Sequence, residues 1–212
     1  MSMAHAADGE ANVFEGYDDF YSSLPSRLFS PADLRKVARG GLGEPAGDFW
    51  KFTLDGGAAH VLELRGPDVI LDGRRIAAAR AIRFEGEPPA PSLGRTARVF
   101  ANEEAVCVEG VPSSASGTAV RHVRVWLIKQ PYGPQAQRFE LPSLFASCLA
   151  LSRDPDGIGF FKASYRWPEG QPEALGLTLT PWRLQGRRFV PAGEPRTTTF
   201  VEPGNLYRFT AP

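Results

Sequence analysis

Cys107, His122 and Arg124 are the residues of this chain best suited by type to covalent chemistry. A thiol becomes a nucleophile when a neighbouring base withdraws its proton, and imidazole is a common base. Cys107 lies in the strand-like run Ala105-Val106-Cys107-Val108, and His122 in the run Thr118 to Gln130. Adjacent strands in the right register would bring them within reach, giving a hydrolase or transferase site with Arg124 beside it. The same residues allow a plainer assignment, with Cys107 as a small apolar core residue and His122 on the solvated half of its strand. Cys148 is the second of two cysteines. The pair permits either one disulfide in an oxidising compartment or two buried thiols.

A second constellation is aromatic. With Gly159 to Trp167 as one strand, Phe161, Tyr165 and Trp167 share a face with Ala163, while Lys162, Ser164 and Arg166 share the other. Trp126, Trp182, Tyr207 and Phe209 are further members. An aromatic platform in a cleft stacks on sugar rings or holds an apolar ligand, with Arg124 or Arg166 orienting polar groups. The same stripe also suits a protein core.

Other motifs carry less. Gly41-Leu42-Gly43-Glu44-Pro45-Ala46 has the spacing of a dinucleotide-binding loop, but it follows a helical pattern instead of a strand, and Pro45 removes an amide from the phosphate cradle. It is read as a linker. The chain has no P-loop, no G-x-S-x-G elbow and no H-E-x-x-H helix. His5, His60 and His122 are far apart, and Asp154 and Asp156 sit in a turn without the third carboxylate of a calcium loop. No metal and no cofactor is expected.

These residues need a scaffold. The run Thr118 to Gln130 reads as a long strand, with Val123 to Ile128 apolar on both faces apart from Arg124. Val13, Phe14, Tyr17, Phe20, Tyr21 and Leu24 make an apolar stripe at helical spacing that ends at Pro25. Ser30, Pro31 and Asp33 open a second short helix that Gly40-Gly41 stops. From Phe49 the period becomes two, and Asp55-Gly56-Gly57 and Asp72-Gly73 turn an antiparallel meander. Thr96 to Phe100 and Ala105 to Val108 form a hairpin around Asn102-Glu103-Glu104. Leu141 to Ser152 reads as a buried helix starting at Pro142, and the remainder returns to strands from Gly159 to Thr210. The fold class is α+β and predominantly antiparallel β: a curved sheet or partial barrel packed on one buried helix, with two short N-terminal helices.

At 212 residues the chain suits a single domain from 13 to 212 after an N-terminal segment 1–12 that is disordered or processed. The proline-rich link Glu87 to Pro91 marks a point of weak subdivision. Twenty-four basic and 24 acidic residues balance, so no field favours nucleic acid. No apolar run approaches a membrane span, and a soluble protein is expected. Ala4-His5-Ala6 before Ala7-Asp8 has the small-x-small form of a signal cleavage site, and equally that of an ordinary alanine-rich start. Together these features lead to an expectation of a non-catalytic protein, exported to the periplasm or secreted. Its partner is a small apolar or carbohydrate ligand, or another protein, held on an aromatic-lined face or cleft. The alternatives are a small enzyme with a Cys/His site and a cytoplasmic structural or assembly subunit.

Overall fold

The computed structural model describes residues 12–38, 48–78, 93, 97–111, 116–170 and 172–211. The small-x-small segment, the glycine loop at 41–46 and the proline-rich link at 87–91 all lie outside them. The chain opens with strand β1 (Asn12–Phe14), helix α1 (Tyr17–Ser23), β2 (Leu34–Arg35) and β3 (Val37–Ala38). It continues through β4 (Phe49–Thr53), β5 (Ala59–Arg65), β6 (Asp68–Leu71) and β7 (Arg74–Arg75), then β8 (Arg98–Ala101), β9 (Ala105–Gly110), β10 (Arg124–Lys129) and β11 (Gln137–Leu141). The last third holds β12 (Ser152–Asp154), β13 (Gly157–Arg166), β14 (Gly176–Gln185), β15 (Arg188–Pro191), β16 (Arg196–Thr197), β17 (Thr199–Phe200) and β18 (Phe209–Ala211).

Every ladder between these strands is antiparallel. They form four sheets: β1-β18-β17, a central β11-β10-β9-β8-β2, the meander β3-β4-β5-β6-β7, and β12-β13-β14-β15 with β16 also on β14. No closed barrel forms among the described residues.

The central sheet is covered on both faces, which is why β10 is apolar on both. Trp126 and Ile128 join Val99, Val106 and Val108 on one face and meet Trp50, Leu62, Val69 and Leu71 of the meander. Val125 and Leu127 join Phe100, Cys107 and Phe139 on the other, against α1, the segment 142–151 and the β13-β14 sheet. Glycines appear where chemistry demands them. Asp72 and Gly73 both have positive φ, 52° and 75°, making the tight β6-β7 turn that Asx-Gly pairs favour. Gly176 admits no side chain, because a Cβ there would collide with the Thr198 carbonyl where β14 meets the incoming chain.

Three helical expectations are corrected. The first is shorter than its apolar stripe: Val13 and Phe14 pair with β18, and only Tyr17–Ser23 is helical. The second is a single 3-10 turn at Pro31–Asp33, in which the Asp33 carboxylate accepts from Ser30 N at 2.7 Å. The cap is real, but pairing of Leu34–Arg35 with β8 and Val37–Ala38 with β4 outweighs further helix. The buried helix at Leu141–Ser152 is absent. That segment leaves β11, places Phe145 in the left-handed region at φ 50°, and makes one 3-10 turn at Cys148–Ala150. Likewise Gly117–Arg121 is a 3-10 turn, so the long strand expected from Thr118 begins only at Arg124.

Candidate functional site

The sulfur of Cys107 is bonded to that of Cys148. Cys107 therefore presents no thiol, and the nucleophile pair with His122 is not formed. In register, Cys107 faces Leu127, while His122 precedes β10 and bridges to Leu144. Its Nδ1 lies 2.9 Å from Ser143 Oγ. Ser143 is fully buried, so this hydroxyl holds the imidazole in place and reaches no substrate.

The disulfide helps explain the irregular 142–151 segment. Glu109, buried in β9, accepts from Ser147 Oγ at 3.1 Å and from the Cys148 amide, and the Arg98 guanidinium lies against its other oxygen. Burial pushes the Glu109 carboxyl above its ordinary range, opposed by Arg98 and these hydrogen bonds. Tyr21 completes the anchoring by donating to the Phe145 carbonyl at 2.6 Å.

Beside this segment opens a cleft of about 610 Å³, a volume typical of small-ligand sites. Three stretches build it. The 3-10 turn at 117–121 supplies Arg121, with His122 next in the chain; the end of β13 supplies Tyr165, with Trp167 just past it; the approach to β14 supplies Glu173. Trp167 is 58% exposed, and its ring centre lies 5.5 Å from that of Tyr165. Arg121 Nη1 donates to the Tyr165 hydroxyl at 3.2 Å. Tyr165 in turn meets Phe145 edge-on at 6.0 Å, and Phe145 stacks on Tyr17 at 4.1 Å. An aromatic run thus passes from solvent into the core. Burial, then neighbouring Tyr21, Tyr165 and Tyr207, push the Tyr17 hydroxyl well above its ordinary range, opposed by Arg121. It stays a neutral phenol and donates to the Leu206 carbonyl at 2.9 Å.

Of the aromatic and cationic residues singled out in the sequence, Tyr165 and Trp167 meet at the cleft and His122 joins them. The others lie elsewhere. Trp126 is 1% exposed in the core against the meander, with the Arg138 guanidinium 4.7 Å from its ring. Arg124 is buried and ion-paired with Glu140 at 3.1 Å. Phe161 packs at the edge of the core under Arg196. Arg166 donates to the Thr198 carbonyl and Thr199 Oγ1, both at 3.0 Å.

The cleft residues missing from the sequence reading are Arg121 and Glu173. In an extended strand Arg121 would point away from His122, whereas the 3-10 turn sets both at the cleft. The Asp154 and Asp156 turn is answered by Arg183, whose nitrogens reach both oxygens of Asp154 at 2.6 and 2.7 Å and Asp156 at 2.8 Å. Among the described residues, no three His, Cys, Asp or Glu side chains gather as a metal site, and no helix is long and apolar enough to cross a membrane. The chemistry open to this arrangement is stacking on Trp167 and Tyr165 with hydrogen bonding at their edges. Compared with known protein families, curated proteins and solved structures, the chain matches none.

Proposed function

We propose that this is a non-catalytic binding protein whose cleft takes a carbohydrate. The observation that carries the reading is the exposed Trp167 ring set in an open cleft with Tyr165, Arg121, His122 and Glu173. A sugar offers an apolar ring face to stack on an indole and a rim of hydroxyls for polar side chains. A wholly apolar ligand would cover those polar groups without replacing their water hydrogen bonds, which is costly. The disulfide supports the further proposal of an exported protein, since such bonds persist in oxidising compartments.

Titrating the protein with neutral and acidic oligosaccharides while following tryptophan emission tests the reading. A saturable change that Trp167→Ala abolishes is expected. A saturable change that survives that substitution would refute it, as would no change with any saccharide. A second reading, a protein partner, draws on the exposed side chains of Val120, Leu175, Val201 and Tyr207, two of which line the neighbouring pocket. Tight association with a protein and none with sugars would favour it.

A further inference from the structure

A second pocket of about 300 Å³ adjoins the cleft, and Arg121 lines both. Consecutive residues face opposite sides of this junction: Ala119 and Leu206 line the cleft, Val120 and Tyr207 the smaller pocket. The aromatic run continues across it, since Tyr207 meets both Tyr17 and Phe145 edge-on at 6.0 and 5.9 Å. The two spaces, together called the groove, thus carry aromatic side chains at both ends and share the Arg121 cation between them.

Among the described residues no carboxylate answers that cation. The Arg121 side chain is half-buried, and its hydrogen bond goes to the Tyr165 hydroxyl. The other arginine of the groove differs. Arg98 lies against Glu109 and 3.8 Å from Asp18. Glu173 is exposed on the cleft wall, where water screens its charge and its oxygens can accept from sugar hydroxyls. An arginine partly withdrawn from water gains most from a carboxylate that fits its planar fork.

Resting on the carbohydrate reading, we propose that the groove binds an acidic oligosaccharide of at least two rings, one on Trp167 and one in the smaller pocket, with a uronate carboxylate on Arg121. The carboxylate does not react. It supplies charge complementarity where the two pockets meet, and this sets the register of the sugar chain.

The test uses the full chain and uronic acid oligomers of two to four units, each paired with its methyl ester, which keeps ring and shape but removes the charge. Binding followed by calorimetry should favour the acid over the ester by at least about tenfold, as a charge-assisted hydrogen bond implies. The preference should shrink as salt is raised. Arg121→Gln should erase the preference for acid over ester, and Arg121→Lys should keep part of it. Because the acid and ester are compared on the unaltered protein, the test does not depend on a variant folding. Equal affinity for acid and ester overturns the acidic specificity and leaves the carbohydrate reading standing. A preference that persists in Arg121→Gln overturns the role of Arg121. Single uronic acid units binding as tightly as the oligomers overturn the two-pocket groove, and failure of every saccharide to bind overturns both proposals.

Discussion

The two faces of the central sheet are covered by different kinds of structure. On one, the meander lays strands on strands, and the contact consists of Trp50, Leu62, Val69 and Leu71 against Val106, Val108, Trp126 and Ile128. On the other, a short helix and the irregular segment 142–151 sit between the central sheet and β13-β14. Strands satisfy their backbone groups through their own ladders, so the meander needs only side-chain fit. An irregular segment has no ladder, and its amides and carbonyls draw in side chains instead. Glu109, Ser147, Tyr21 and the disulfide all serve that segment. The cleft and the smaller pocket beside it lie on this side, bordered by the 3-10 turn at 117–121 and, for the smaller pocket, by residues of the irregular segment. Under the proposed function, the side with the irregular segment is also the side that recognises the ligand.

The largest test of that contrast is the disulfide. Its cysteines are 41 residues apart, so loop entropy gives it about 4 kcal/mol. Cys107→Ala with Cys148→Ala should lower stability by about that much in urea titrations, and reductant should act likewise on the unaltered protein. A change under about 1 kcal/mol would show that Glu109 and Tyr21 hold the segment without it. Next come paired truncations of neighbours on opposite faces. Leu127→Ala and Ile128→Ala should each cost about 3 kcal/mol, as buried aliphatic losses do. If each gives one cooperative transition with an unchanged denaturant slope, the two layers unfold together. A separate transition in either variant would divide them.

Glu109 offers a sharper and smaller probe. Its carboxyl titrates above its ordinary value of 4.5, chiefly through burial, so the folded chain holds the proton more tightly than the unfolded one. The associated stability is present below pH 4.5 and is lost as pH rises through the folded value. Glu109→Gln should remove that slope while changing stability at neutral pH by no more than about 1 kcal/mol, because the half-exposed Arg98 can rehydrate. A pH profile identical to that of the unaltered protein would mean burial and Arg98 cancel. The smallest effect belongs to Trp167→Ala. This exposed ring should contribute less than about 0.5 kcal/mol to stability, in contrast to the loss of binding expected under the proposed function.

The meander was readable from sequence because its determinants are local. Asp55-Gly56-Gly57 and Asp72-Gly73 turn the chain where alternation stops, and β4 to β6 follow their apolar period. The layer opposite resists such reading. Leu144, Phe145, Cys148, Leu149 and Leu151 have helical spacing, but their burial is arranged by contacts with Cys107 and Glu109, roughly 40 positions earlier. At the cleft, Tyr165 and Trp167 follow from the strand period of β13. Arg121 does not, since its direction depends on the 3-10 turn at 117–121. Trp126 and Arg124 have the right residue types for binding, yet the covering of both sheet faces makes them structural.

That double covering bears on how the chain may be cut. Strands β8 to β10 have no face that water can wet without cost, so neither outer layer is a dispensable appendage. A fragment starting at Ala97 would bare Val106, Val108, Trp126 and Ile128 as one greasy plane edged by strand backbone, a surface prone to self-association.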